Sequence, residues 1–167
     1  LFLALSLSIT ALILFFFFRS FFAVIVPLVI IAIMVVWSLG TITLLGYKIT
    51  LLTGLIPPII VVIGIPNSVY LLNKYHHEFR KHGNKIKALS LVIRRIGIVT
   101  LITNVTTAIG FFVFSFTEVS ILHEFGIVAS LNIMGVFTAS IILIPAVFAY
   151  LPEPKPSELK HLDFKFF

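Results

Sequence analysis

The sequence has 167 residues, of which 60% are hydrophobic and 11% are charged, and its mean hydropathy is +1.20. Soluble domains carry roughly 25% charged residues, so this composition is typical of a membrane protein. The net charge of +6 does not indicate nucleic-acid binding, because the basic residues fall in short segments between apolar runs. The absence of cysteine excludes a disulfide framework and a thiolate metal site.

Five uncharged apolar runs are long enough, or nearly so, to cross a bilayer. A hydrocarbon core about 30 Å thick needs roughly 20 apolar residues of helix, and within such runs only helices satisfy their own backbone groups. The first run lacks the basic start of a signal peptide, and a chain that opens on Leu1 is expected to be a piece of a larger protein. We predict an all-α polytopic membrane helix bundle with five transmembrane helices, at about 1–18, 21–40, 50–73, 96–117 and 125–151.

The basic residues predict the orientation of these spans. If the spans alternate in direction, all of the 12 lysines and arginines except Lys48 fall on one side of the membrane. The positive-inside rule makes that side the cytoplasm. The chain is therefore expected to enter from outside at Leu1 and to leave into the cytoplasm after Pro152.

Between the third and fourth spans, residues 74–95 are predicted to form an amphipathic helix on the cytoplasmic membrane surface. An apolar row near helical spacing lies opposite basic residues there, and it consists of Ile86, Leu89, Val92, Ile93 and Ile96. An ordinary basic loop is the alternative. The transmembrane bundle is expected to cover 1–152, and the proline-rich residues 153–167 to form a cytoplasmic linker toward a further membrane half.

Polar residues interrupt the apolar spans. In the third span Pro66, Asn67 and Ser68 stand together, although proline removes a backbone donor and an amide in hydrocarbon needs a partner. In the fourth span a polar series at i, i+3, i+4 and i+7 predicts one helical face, formed by Thr100, Thr103, Asn104 and Thr107. No predicted span contains Asp, Glu, Lys or Arg, the usual indicator of an ion pathway.

These residues are candidates for a transport or coupling site, because transporters place such sites at interrupted helices. The candidates are Pro66, Asn67, Ser68, Tyr70, Thr103, Asn104, Thr107 and Asn132. The alternative for each is helix packing, in which small and polar residues hold neighbouring helices together. No catalytic residue and no metal site are predicted.

Two stretches carry a resemblance to a known family. "VVIGIPNSVYLLNKYHHEF" resembles the fourth transmembrane helix of the resistance-nodulation-division (RND) superfamily, in the MMPL-like branch of hydrophobe and lipid exporters related to Patched and sterol-sensing domain proteins. Downstream, "TTAIGF" at 106–111, "FG" at 125–126 and "IPA" at 144–146 follow the order found in such exporters. The resemblance covers nearly the whole chain, as spans two to six of a six-span half.

The resemblance implies proton-coupled export of a hydrophobic or lipid-like substrate across a bacterial inner membrane, with no enzyme activity and no cofactor besides the proton motive force. Many members carry Asp followed by Tyr or Asp where this chain has Pro66 and Asn67, so the titrating carboxylate is expected outside this chain. The expected partners are the remaining half and extracytoplasmic domains of the same transporter, the lipid bilayer and the substrate. Assembly into a homo-oligomer is a further alternative. The main alternative is a sterol-sensing-type regulatory or receptor module without transport. Protein-secretion accessory subunits fit "LLNKYHHEF" poorly, and a structural scaffold is a further alternative.

Overall fold

The computed structural model describes residues 21–154 together with Ser8 and Phe15, and this part of the chain contains four long helices. They are α1 (Phe21–Leu44), α2 (Ile56–His82), α3 (Lys85–Phe112) and α4 (Ser120–Tyr150). Single 3-10 turns, Thr53–Leu55 and Val113–Phe116, precede α2 and follow α3. Each of the four is long and apolar enough to cross a membrane, which confirms an all-helical polytopic bundle. The predicted span 1–18 and the linker beyond Pro154 lie outside the described residues.

The centre of the bundle is formed by α2 and α4, which each pack against every other described helix, while α1 and α3 flank them. Three helices approach closely at Gly64 of α2. A Cβ atom there would lie 3.1 Å from Cγ1 of Ile31 on α1 and 3.2 Å from Cγ1 of Val136 on α4. The missing side chain therefore allows the close contact that small residues provide between membrane helices.

The helix boundaries differ from the predicted spans mainly at the turns. The predicted span 21–40 continues as helix through Gly40 to Leu44, and the chain turns instead at Gly46, whose φ is +72°. Glycine adopts that left-handed conformation readily, because it has no Cβ atom. The predicted span 125–151 begins earlier, at Ser120.

The predicted surface helix at 74–95 is not a separate element. Helix α2 continues to His82 and ends at Gly83, whose φ is +62° and whose N–H donates to the Phe79 carbonyl at 2.8 Å. Asn84 then starts α3, because its Oδ1 accepts a hydrogen bond from the backbone N–H of Lys87 at 3.0 Å. Glycine after a helix and asparagine before one are the usual stop and start residues.

The first turns of α3 pack against the bundle through part of the predicted apolar row, because Leu89, Val92 and Ile96 are buried. We call the end of the bundle where α2 passes into α3 the basic end. Its cations are Lys74, Arg80, Lys81, Lys85, Lys87, Arg94 and Arg95. Nζ of Lys85 donates to the Leu151 carbonyl at 2.5 Å, so the start of α3 is joined to the end of α4.

At the opposite end, α3 and α4 meet in what we call the outer corner, formed by the turn 113–119 with Phe111, Phe125 and Gly126. A Cβ atom on Gly126 would lie 2.8 Å from the Phe111 carbonyl oxygen and 2.8 Å from the Ser115 backbone nitrogen. The Phe125 ring centroid lies 5.7 Å from that of Phe111. Backbone contact and aromatic packing together give a physical reason for the "FG" pair of the sequence.

Candidate functional site in the middle of the bundle

The centre of the candidate site is an amide pair that joins α2 to α3. Nδ2 of Asn67 donates to Oδ1 of Asn104 at 2.9 Å, although the two residues are 37 positions apart in the sequence. Nδ2 of Asn104 in turn donates to the Thr100 carbonyl at 2.7 Å. Because Asn104 is only 2% exposed, this hydrogen bond satisfies an amide that has no access to solvent.

Asn67 differs from its partner because it is only half buried. Among the residues that the structure describes, none forms a hydrogen bond with its Oδ1. An amide has one carbonyl acceptor and two N–H donors, so Asn67 retains both an acceptor and a donor beyond its bond to Asn104. The pair can therefore hydrogen-bond a further polar group that approaches α2.

The residues beside Asn67 point in different directions. Pro66 is exposed and lies inside a continuous helix, so it removes one backbone hydrogen bond without ending α2. Ser68 is fully buried, and its Oγ has no hydrogen-bond partner in the described part of the chain. Tyr70 is 45% exposed. Of the predicted cluster on α2, only Asn67 joins the amide pair.

The predicted polar face of α3 is divided. Thr100 and Asn104 point into the bundle, whereas Thr103 is exposed and Thr107 is half buried. The hydroxyls of these last two donate to carbonyls of their own helix, Thr103 to Val99 at 3.0 Å and Thr107 to Thr103 at 2.9 Å. Neither therefore contributes a hydrogen bond to the contact with Asn67.

Asn132 belongs to a second polar link, between α1 and α4. Its Nδ2 donates to Oγ1 of Thr41 at 2.7 Å and to the Val128 carbonyl at 2.8 Å. Asn132 is 1% exposed, and its Oδ1 has no partner among the described residues. Thr41 was not among the sequence candidates, because a single threonine in a helix gives no sign of which neighbour it meets.

The histidines near the basic end are not grouped as metal ligands. Within the described residues, no three His, Cys, Asp or Glu side chains come together in a metal-binding arrangement. Nε2 of His82 lies 3.5 Å from Oε2 of Glu78, one helical turn earlier. The His82 side chain is 25% exposed and the Glu78 side chain 9% exposed. His76 is buried in α2.

Comparison with known proteins gives a family match over nearly the whole chain. The sequence model of the MMPL family matches residues 1–163. A Methanocaldococcus jannaschii protein that is named as a membrane protein is 28% identical over 131 residues, which are 78% of this chain. The chain spans about a third, 34%, of the length of that curated relative. No solved structure matches the chain.

Proposed function

Because this chain belongs to the MMPL family, we propose that it is the transmembrane part of one half of an RND-type transporter that exports a hydrophobic or lipid-like substrate. The protein is a multi-pass membrane protein, and four of its helices have the length and hydropathy to span the bilayer. We place the basic end in the cytoplasm, by the positive-inside rule, and the transporter in a bacterial inner membrane. The rest of the transporter is the proposed partner.

The observation that carries this proposal is the amide pair in the middle of the bundle. Polar side chains at membrane depth are costly and usually serve a pathway or a partner. Asn104 and Thr100 hold Asn67 from one side, so its remaining donor and acceptor are presented in a fixed position. A helix of the missing half that carried a carboxyl group would find both kinds of hydrogen-bonding atom there.

The proposed coupling of proton transfer to export uses both the remaining donor and the remaining acceptor of Asn67. When the facing carboxyl group is protonated, its O–H donates to Oδ1 of Asn67; when it is ionised, Nδ2 of Asn67 donates to it. Asn67 thus keeps a hydrogen bond to both forms without itself titrating. Pro66 leaves one carbonyl of α2 without its helical donor, which favours a hydrated environment beside the pair.

The test is proton-driven efflux of a fluorescent lipid analogue from liposomes that contain the full-length protein, measured over a pH series. Asn67→Ala is expected to lower flux by about tenfold, since a hydrogen bond to a charged group contributes roughly 1.5–3 kcal/mol. Asn67→Asp is expected to extend the flux profile to higher pH, because two nearby carboxylates repel and one of them keeps its proton longer.

The matched control is Thr103→Val, which has nearly the same shape and loses only a hydroxyl that bonds within its own helix. Its flux and pH profile should equal those of the wild type. If both Asn67 variants also behaved like the wild type at equal expression, Asn67 would be a packing residue and the coupling proposal would be wrong.

A second candidate is a sterol-sensing-type regulatory module without transport. It is favoured by one observation, that the middle of α2 carries an amide and no carboxylate. Ligand-dependent binding of a partner protein, in the absence of any flux by the full-length protein, would support this candidate against the exporter.

A further inference from the structure

We propose that the basic end of the bundle holds an anionic phospholipid in a groove between the start of α3 and the end of α4. The groove has a volume of about 720 Å³. Its walls are mostly apolar and include Leu89 and Ile93 of α3 and Ile142, Pro145 and Ala146 of α4. This lining suits a hydrocarbon chain.

The polar part of the lining suits a phosphate. Arg94 and Ser90, one helical turn apart on α3, are both exposed and both line the groove. In the described part of the chain, no carboxylate pairs with Arg94. A guanidinium group binds a phosphate through two parallel hydrogen bonds, and the serine hydroxyl can donate a third.

The depth of Arg94 along α3 also fits a phospholipid headgroup. From Arg94 to Phe112, the last residue of the helix, the 18 residue-to-residue steps rise about 27 Å at roughly 1.5 Å per step. The hydrocarbon core is about 30 Å thick, so Arg94 lies near one boundary when Phe112 lies near the other. Tyr150, at the end of α4, is 94% exposed, as expected for an aromatic residue at the membrane interface.

A second groove along the same pair of helices shows what the arginine adds. It lies toward the outer corner, has a volume of about 420 Å³, and is lined by Val105, Ala108, Ile109, Phe112, Ile127, Ser130, Leu131 and Met134. Since none of these is charged, that groove offers no cation to a headgroup. The groove at the basic end combines an apolar wall with an arginine that no carboxylate of the described residues pairs with. Clustered basic residues of this kind attract anionic lipids.

A membrane phospholipid fits these observations better than a further protein helix. A helix in this groove would cover Arg94 and would need to bring its own carboxylate, whereas a phospholipid brings a phosphate at the appropriate depth. The proposed lipid is a resident of the membrane and not the exported substrate. The inference is therefore independent of the proposed transport function.

The experiment titrates the purified full-length protein with phosphatidylglycerol or with phosphatidylcholine of the same acyl chains, and counts bound lipid by native mass spectrometry. We expect phosphatidylglycerol to bind the wild type in preference. Arg94→Gln should weaken that binding about fivefold, the effect of removing one cation near an anionic lipid surface. Arg95→Gln is the matched control, because Arg95 is exposed beside it but does not line the groove.

A second variant, Ala146→Trp, places an indole ring in the groove and leaves every charge in place. It should abolish the preference for phosphatidylglycerol, while the melting temperature shows that the protein is folded. Equal weakening by Arg94→Gln and Arg95→Gln would indicate a diffuse charge effect and overturn the proposal. Full binding of phosphatidylglycerol by folded Ala146→Trp would also overturn the proposal. So would a wild type that shows no lipid preference, which is the result expected if another segment of the full-length protein covers the groove.

Discussion

The outer corner and the middle of α2 join neighbouring helices by opposite means. At the outer corner, Gly126 lies against backbone atoms of Phe111 and Ser115, which cannot move without shifting the end of α3. In the middle of the bundle, Asn67 meets Asn104 through one side-chain hydrogen bond and keeps further hydrogen-bonding capacity. The corner is built for one geometry, whereas the amide pair can accept an additional partner. Substitutions should therefore affect folding at the first region and function at the second.

The largest effect on stability is expected from Gly126→Ala. The new Cβ atom would be 2.8 Å from two backbone atoms, and overpacking of this kind costs about 1–3 kcal/mol. Thermal unfolding of the full-length protein in detergent measures the loss.

The control for this substitution is Gly110→Ala, directly before Phe111 on α3, where a Cβ atom would meet nothing within 4 Å. Alanine in a helix is favoured over glycine by roughly 0.5–1 kcal/mol, so this variant should be slightly more stable than the wild type. Equal melting temperatures for the two variants would contradict the assigned rigidity of the outer corner.

A smaller loss of stability is expected from Asn132→Ala. The substitution removes the hydrogen bond to Thr41 that joins α1 to α4, and such bonds between membrane helices contribute about 0.6–1.7 kcal/mol. Thr138→Val is the control, since the Thr138 hydroxyl bonds only within α4. A double-mutant cycle with Thr41→Val isolates the pair, and a coupling energy of zero would show that the two side chains do not support each other.

The smallest effect on stability is expected from Asn67→Ala. Its single bond to Asn104 contributes about 0.6 kcal/mol on average for such contacts, and Asn67 is only half buried. The same variant is expected to have the largest effect on flux. A strong destabilisation with unchanged flux per folded molecule would reverse the comparison between the two regions.

The sequence predicted those features that depend on one helix alone. Long uncharged runs predict spanning helices, and the position of Asn67 among apolar residues marks it without any knowledge of its neighbours. The division at Gly83 and Asn84 was missed, although glycine followed by asparagine is a recognised stop and start signal. The amphipathic spacing within residues 74–95 did not reveal this division. The first turns of α3 have an apolar side whether they lie on the membrane surface or form the start of a spanning helix.

Features that depend on how two helices fit together could not be predicted. The pairing of Asn67 with Asn104 requires the register between α2 and α3, and nothing in either segment alone specifies it. By their spacing, the four polar residues of α3 lie on one broad face of the helix. Only Thr100 and Asn104 point inward, because the neighbouring helices cover only part of that face. The partner of Asn132 was missed for the same reason.

The hydrogen bond between Lys85 and Leu151 has a mechanical consequence. This hydrogen bond and the outer corner join α3 to α4 at both ends of their contact. We therefore expect these two helices to move as one rigid unit. The joint between α2 and α3 consists of only Gly83 and Asn84, and the amide pair forms a side-chain hydrogen bond between the middles of those two helices. In the proposed transport cycle, a rocking motion would therefore turn about that short joint, and the Asn67–Asn104 hydrogen bond would oppose the separation of the two helices.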